Sequence, residues 1–459
     1  MASPLIDTVD SSEVAGGSAS IPAASADAPD ISEFAADDGG TLAVAHGEHL
    51  IGGHLVVHSY TPGPPPVSIF TVALGDSQGK RWEGPVGVYY AGAPLDASPD
   101  GVQKGYHFHP GTVSTSIADA DQPVDSFLPD GLAYSTTPVI VVNLPEQFAI
   151  EDRPDKFHAR VKCSWTTDYN EAGAPIGDSY LPNPARVAAN RIHRYYSNRY
   201  WYDEALAYQK FRDKVHWGDW CRLRDVCAEN ISWDDGTSVR SIARFECHIF
   251  WTEDRVLGDA LDEIMQTCGG FWNFDGRQFR FKTVFDTEPV HNFTEENIVP
   301  NSFRTTPRDI RNIPNMMIAK FRNFDNPLLK PTSAYVRRDD LIQRLGQIKN
   351  VQNFSNMYPS QAQRLLARRM NLEAGIIGAG TPLNATLRGD GSSLHVRPGD
   401  YVTVSHPSAK WEYQLCLVLG RELQSAESAA DETNFSLQNI DGPLYSDSAH
   451  TAIQPYLES

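Results

Sequence analysis

Glycine and proline break this chain at a frequency that rules out long uninterrupted elements. The 459 residues include 34 Gly and 31 Pro, about one position in seven. Many short strands and short helices are therefore predicted, arranged in two to four compact units. Between the breaks, strand-like runs occupy residues 54–58, 68–74, 86–90, 138–144 and 157–163. Residues 91–135 read as loops or an insertion within that β-rich part. Residues 1–45 are rich in Ala, Ser and Asp and hold no sustained period, so they read as an acidic arm, either flexible or ordered by a partner.

The pattern changes at Asn183-Pro184, an N-cap residue followed by proline at the first helical position. It predicts a helix to about Tyr196, a second over residues 202–211 and a third over 220–229. The strongest period runs from Glu253 to Cys268, where Leu257, Ala260, Leu261, Ile264, Met265 and Cys268 share one helical face. Thr252 is the expected cap and Gly269-Gly270 the expected stop. Asp275-Gly276 then predicts a hairpin between residues 271–274 and 278–282. Residues 286–358 carry no clear period. Ser360 to Gln363 has the form of a capping box for a helix to about Glu373, and strands are predicted over 383–388, 401–405, 413–419 and 435–437.

Charge excludes one broad class. The net charge is −19, and a carboxylate-rich surface repels a phosphate backbone, whose binding relies on Lys and Arg. The imbalance is concentrated at the ends: residues 1–79 hold ten acids and no Lys or Arg, while 181–380 hold 24 acids against 28 bases. No apolar run approaches the roughly 18 residues that span a bilayer. No Lys or Arg precedes Lys80, so a basic secretory n-region is missing from the amino-terminal stretch and folding in the cytoplasm is expected. The six cysteines, Cys163, Cys221, Cys227, Cys247, Cys268 and Cys416, form no CxxC pair and read as reduced, buried thiols.

Several local patterns invite a chemical reading. Gly75 to Gly79 spells GxSxG around Ser77, but the residues after it lack the helical period that a nucleophile elbow needs. His46, His49, His54 and His58 form one histidine cluster and His107/His109 another; positions 107 and 109 share one side of a strand, where packing and hydrogen bonding outweigh metal binding in the absence of further ligands. Arg388-Gly389-Asp390 reads as a plain turn between strands. Arg364, Arg368 and Arg369 form a basic helix face, solvated or paired with nearby acids, with a subunit contact as the second reading. Trp201, Trp217 and Trp220 are candidate interface anchors. No catalytic, cofactor-binding or metal-binding residue is assigned, and no cofactor is expected.

The order of segments carries more information than any one motif. Gly52-Gly53-His54 opens a β unit; Trp82 to Val86 precedes Tyr106 to Thr112; Asn183-Pro184-Ala185 starts a helix after the Asp168-Tyr169 strand. Leu257 to Gly270 leads into the Asp275-Gly276 hairpin and then Asn297-Ile298. Ala362 to Arg369 leads to Leu394 to Val402, a strand-turn-strand segment built on Arg397-Pro398-Gly399-Asp400. In this order, over roughly residues 46–440, the chain resembles the central tail-tip or baseplate hub proteins of long-tailed bacteriophages, the lambda-like central tail protein family, as a hub core without the long C-terminal fibre region.

The resemblance implies an α+β, β-rich chain with two β-barrel-like hub domains and intervening mixed α/β domains, assembled as a homotrimer whose ring is pseudo-hexameric. Its expected divisions are 1–45 (acidic arm), 46–180 (β-rich hub domain with a loop insertion), 181–290 (helical α+β domain with the hairpin), 291–380 (mixed α+β), 381–445 (second hub domain) and 446–459 (tail). The implied partners are a distal tail protein, the tape measure protein, separate tail fibre or spike proteins, passing DNA held without tight binding, and the host envelope during infection. The implied location is the distal end of the virion tail, after assembly in the bacterial cytoplasm, and the implied role is structural, with no enzyme activity. Two other classes compete. A glycan-binding or glycan-degrading depolymerase needs two carboxylates about 5–9.5 Å apart in an aromatic cleft; Glu253-Asp254 and Asp234-Asp235 are the available pairs, and adjacent acids of this kind usually cap helices or turns. A receptor-binding adhesin is the third reading.

Overall fold

The computed structural model describes residues 44–52, 54–61, 67–75, 80–90, 93–97, 105–110, 137–144, 157–234, 239–251, 255–307, 313–321, 332–354, 356–374, 383–423 and 432–440. The first part is β structure: β1 (Val44–His46), β2 (Glu48–Ile51), β3 (His54–Thr61), β4 (Val67–Ala73), β5 (Trp82–Tyr90), β6 (Ala93–Leu95), β7 (Gly105–His109), β8 (Val139–Leu144) and β9 (Phe157–Ser164). One four-stranded sheet has the order β2-β9-β5-β6 and another β3-β4-β8-β7. They share one core, with Ile51, Trp82, Val88 and Val161 from the first sheet and Val72, Ile140 and Val142 from the second. The runs read from the sequence fall on β3, β4, β5, β8 and β9. The stretch read as loops between 91 and 135 also contributes β6 and β7, strands too short to leave a period.

Strand β1 leaves that sandwich. It pairs antiparallel with β14 (Ile249–Trp251), while β2, one residue further on, pairs with β9. Gly47 makes the step at φ 85°, and its carbonyl accepts from Cys163 N at 2.8 Å. A Cβ there would lie 2.6 Å from His248 Nδ1 and 2.8 Å from the Cys247 carbonyl, so only glycine fits.

Next come hairpin β10 (Thr166–Tyr169) and β11 (Pro175–Ser179), then α1 (Pro184–Arg199), α2 (Glu204–Lys214) and α3 (Trp217–Ala228). Asn183 caps α1 as predicted, its side chain accepting from Ala185 N at 3.0 Å. A hairpin of β12 (Asn230–Asp234) and β13 (Val239–Ala243) precedes β14, and α4 (Leu257–Cys268) follows. Helix α4 starts four residues later than its period suggested. Val256 holds extended backbone (φ −57°, ψ 139°) with no side-chain cap, which fixes the first turn at Leu257; Thr252 lies outside the described residues. Gly269 at φ 63° ends the helix as expected. The predicted hairpin is present as β15 (Phe271–Phe274) and β16 (Phe279–Lys282).

The remaining elements are β17 (Pro289–Phe293), β18 (Arg304–Pro307), β19 (Met316–Phe321), β20 (Thr332–Arg337), α5 (Asp339–Leu345), β21 (Lys349–Asn353), α6 (Pro359–Ala374), β22 (Leu383–Gly389), β23 (Tyr401–His406), β24 (Trp411–Leu423) and β25 (Thr433–Asn439). The three-stranded sheet β20-β19-β21 packs on α6 and joins the core of α1, α3 and α4 through Met317, Ala319, Leu366 and Met370. Helix α6 begins at Pro359, so Ser360 and Gln363 lie inside its first turn and no capping box forms at that register. Gln361 does the joining instead: its Nε2 donates to the carbonyls of Glu246 (2.8 Å) and Thr267, and its Oε1 accepts from Glu246 N at 3.0 Å.

Strands β17 and β18 pair with the last four strands in a six-stranded sheet, β17-β23-β24-β25-β22-β18, over a core of Phe293, Leu387, Val402, Val418 and Phe435. The segment 291–380 thus contributes to two packing units. None of the described sheets closes into a barrel. The six-stranded sheet ends in β17, which opens with Pro289, and in β18, four exposed residues ending with Pro307; proline donates no ladder hydrogen bond and belongs at such edges.

Candidate functional site

Two surfaces stand out, an exposed aromatic corner and a charged seam. The corner is the link between α1 and α2. Helix α1 carries four arginines, Arg186, Arg191, Arg194 and Arg199, and no acid. It stops after Arg199, where Tyr200 N still bonds to Tyr196 O (2.9 Å) and Asp203 N turns back to Tyr200 O (2.9 Å). Asp203 then caps α2 by accepting from Leu206 N at 2.9 Å. This tight reversal holds Trp201 83% exposed and Tyr202 65% exposed.

The rings are in contact with one another. Trp201 meets Tyr202 edge-on at 6.1 Å, Tyr202 meets Tyr200 at 6.4 Å, Tyr200 stacks on Tyr196 at 6.4 Å, and Tyr196 meets Tyr195 at 5.2 Å. Arg199 donates to the Tyr195 hydroxyl at 3.1 Å. Elsewhere in the same helical unit, Tyr169, Phe211, Trp217 and Trp220 form a buried aromatic cluster with centroids 5.1–5.8 Å apart. The buried indoles are satisfied: Trp217 Nε1 donates to Arg212 O at 2.8 Å and Trp220 Nε1 to Ala185 O at 2.7 Å. Of the three tryptophans singled out as interface anchors, Trp217 and Trp220 are therefore core residues. Trp201 alone faces outward.

The seam joins the six-stranded sheet to the helical unit. Arg397 Nη2 reaches Asp275 Oδ2 at 3.3 Å, and Arg280 Nε bonds Asp219 Oδ2 at 2.5 Å, with His216 Nδ1 3.0 Å from Asp219 Oδ1. Lys282 pairs with Asp400, a carboxylate only 2% exposed that also accepts from Arg397 N at 2.7 Å. The Arg397-Pro398-Gly399-Asp400 turn noticed in the sequence is this contact, with Gly399 at φ 87° against the Phe271 ring. Partial burial works to raise the Asp275 pKa, but the backbone N–H groups of Gln278 and Arg277, and then the charges of Arg397 and Arg280, hold it below the usual carboxylate range.

Other sequence candidates fare differently. Ser77 lies outside the described residues, and the next element after Lys80 is strand β5. Asp235, Glu253 and Asp254 also lie outside them; Asp234 ends β12. His54 and His58 fall on β3, His107 and His109 on β7, and His46 and His49 at the β1–β2 step, where His49 Nε2 meets His46 O at 2.9 Å. Among the described residues no group of three or more His, Cys, Asp or Glu is placed to hold a metal ion. Arg388-Gly389 ends β22 rather than forming a turn; Arg388 pairs with Glu432 at 3.0 Å and Asp390 caps the short helical turn Gly391–Ser393. The basic face of α6 is no solvated face. Arg364 is 1% exposed and donates to Arg244 O at 2.6 Å, and Arg368 lies over the Phe271 ring at 5.7 Å, because α6 is enclosed by α4, the β15–β16 hairpin and the three-stranded sheet. All six cysteines are buried and free.

No protein-family model matches the sequence and no curated protein matches it. Solved structures do match in fold. A chain of the structure described as "Virion of native gene transfer agent (GTA) particle" superposes with a TM-score of 0.58 at 14% identity, covering 90% of this chain and 88% of that one. The 43 kDa tail protein of prophage MuSo2 from Shewanella oneidensis (TM-score 0.31, 9% identity, 88% of this chain and 99% of that one) and the prophage tail protein gp18 from Listeria monocytogenes EGD-e (TM-score 0.27, 10% identity, 83% and 86%) align more loosely. The fold of this chain is thus one also found in a chain of that virion particle.

Proposed function

We propose that this chain is a structural hub of a phage-type tail tip. It continues or closes the tail tube, docks a distal tail protein, the tape measure protein and separate fibre or spike proteins, and forms the channel through which DNA leaves, with no catalytic step of its own. The observation that carries this reading is the fold shared over nine-tenths of the chain with a virion component. Its surfaces suit assembly. On this reading the two β units each contribute one segment per subunit to a ring, and a homotrimer of such chains would present six. The charged seam and the Gly47 step lock both β units onto the helical unit, as a part bearing load between tube and fibres needs. Net charge of −19 favours passage of DNA without adhesion.

The test is immunogold labelling of intact particles with antibody to this chain, with the mass of the purified assembly measured in parallel. Gold at the distal tip and a three-subunit mass support the hub. Label absent both from intact particles and from opened tips, with the antibody proven on blots of the purified chain, sinks it, and release of reducing sugar from host polysaccharide would then identify a depolymerase.

A further inference from the structure

Arg421 is a cation without a counterion of its own. Strand β24 shifts register between Val418 and Gly420, and beyond that shift Arg421 stands opposite Phe435, a core residue of the six-stranded sheet. Cross-strand partners share a face, so the arginine stem starts on the packed side and the residue is half-buried. Its Nε is enclosed and has no hydrogen-bond partner, and no ion pair reaches the side chain among the described residues. Burial, then the positive charge of Arg397, push Arg421 below the usual arginine value, with Asp400 opposing them. Glu422, the next residue, is exposed on the opposite face of the strand. The turn that carries Arg397 and Asp400 is bound to the same strand: Gly399 N donates to Val418 O at 2.8 Å and Val418 N to Asp400 O at 2.9 Å. The acids along this seam are already matched one for one, Asp400 with Lys282, Asp275 with Arg397 and Asp219 with Arg280. Arg421 is the fourth cation against three carboxylates.

We propose that Arg421 is the docking point for one carboxylate of a neighbouring protein subunit, an Asp or Glu side chain that closes on the guanidinium beside the Arg397–Asp400 turn. A partly desolvated charge without a partner costs stability, and an incoming carboxylate removes that cost. The surplus is a single positive charge, which a monoanion neutralises. A dianionic phosphate would leave a negative excess next to Asp400, whose charge already acts on Arg421. The planar guanidinium also matches a carboxylate in shape, through two parallel N–H···O bonds. The frame of the site is held in advance: Asp400 accepts from Arg397 N at 2.7 Å and pairs with Lys282 from the β15–β16 hairpin. The site belongs to the folded chain and stands whether or not the chain is a tail hub.

The experiment labels the arginines of the full chain with heavy nitrogen and follows the Nε–H signal of Arg421, identified by its loss in Arg421→Lys. The probe is the α-amide of N-acetylglutamate, which carries one side-chain carboxylate and replaces chloride at constant ionic strength; acetate and inorganic phosphate are titrated in parallel. The expected result is a saturable shift with both carboxylates, half complete at roughly 10 mM, the strength of one charge-assisted fork. Phosphate should need a concentration at least about threefold higher, because of the neighbouring carboxylates. The amide at about 100 mM should raise the midpoint of thermal unfolding by about 1–2 °C in the parent and leave Arg421→Gln unmoved, with Arg421→Leu as the second variant. Phosphate that saturates the signal at a lower concentration than the carboxylates makes this a phosphate site and overturns the proposal. A response to acetate but not to the larger amide overturns it in favour of a small free carboxylate. A signal that no carboxylate moves, or a thermal rise that survives in both variants, overturns it outright.

Discussion

The backbone N–H of Glu48 donates to Nδ1 of His248 at 3.0 Å, tying residues 200 apart in the chain. His248 is 1% exposed, its Nε2 lies 3.1 Å from Glu246 Oε2, and its own N–H bonds to Asn356 O at 2.9 Å. One residue therefore links the β sandwich, the helical unit and the segment before α6. Acceptance at Nδ1 places the ring proton on Nε2, facing the carboxylate.

Gly47 lies against that histidine and sets the first prediction. In Gly47→Ala the new Cβ meets backbone atoms of Cys247 and His248 at 2.8 and 2.9 Å, neither of which moves freely, at a φ of 85° that disfavours alanine. The expected loss is about 2–4 kcal/mol, from the left-handed backbone and overpacking together. Because the clash falls on the strand joining two units, calorimetry should show the single transition splitting, with the sandwich melting first. An unshifted single transition would show that the step tolerates a side chain.

His46 predicts acid sensitivity. It is 2% exposed, neither ring nitrogen has a hydrogen-bond partner among the described residues, and burial, then the charges of Arg191 and Arg194, push its pKa down from 6.5 to about 3. Below pH 6.5 the unfolded chain binds a proton that the folded chain refuses until about pH 3. The stabilisation is complete above pH 6.5 and lost as pH falls through that window, at about 1.4 kcal/mol per pH unit. His46→Leu should leave stability at pH 7 nearly unchanged and shrink the loss between pH 6.5 and 4.5 by about 2–3 kcal/mol, read from urea melts at the two pH values.

How much of this was legible depends on range. Helix α1 was readable because Asn183 and Pro184 act within one turn, and the hairpin because Asp275 and Gly276 sit at its centre. Helix α4 was readable in its apolar face but not in its start, since Val256 is held extended without a side-chain cap to mark it. The β1–β14 pair and the parallel β17–β23 pair were not legible, because their partners lie about 200 and about 110 residues away and strands of three to six residues leave little period of their own. Arg364 was misread for a related reason. Its row on α6 looks basic, and only the tertiary fold supplies the Arg244 carbonyl and the Phe245 ring that bury it. The aromatic corner was half visible: Tyr200-Trp201-Tyr202 is conspicuous as letters, but Trp217 and Trp220 are equally so and lie in the core.

The cysteines give a chemical prediction. All six are buried, and burial pushes the thiols of Cys163, Cys227, Cys247 and Cys416 up, Cys416 to about 12. Thiolate is the reactive form. Cys268 is shifted the other way, first by its hydrogen bond with Cys227, but at 2% exposed it is closed to reagent; a disulfide reagent added to the native protein at pH 8 should therefore modify fewer than one thiol in the time that denatured protein loses all six. A fast-reacting thiol in the native protein would point to an opening of the helical core.

Trp201 and Trp220 are a matched pair for separating assembly from folding. Trp220 is fully buried and its indole N–H is committed to Ala185 O, so Trp220→Ala removes a large ring from the aromatic cluster and takes the side-chain donor from that carbonyl. The expected cost is about 3–5 kcal/mol, enough to lower the midpoint of denaturation markedly. Trp201→Ala deletes a ring that is mostly in water, and its effect on stability should stay within about 0.5 kcal/mol. If the corner is a contact surface, the same substitution should lower incorporation of the chain into particles at least tenfold while the purified protein melts like the parent. Equal incorporation of both proteins would remove the corner from assembly and leave the edge strands of the described sheets as the surfaces to test.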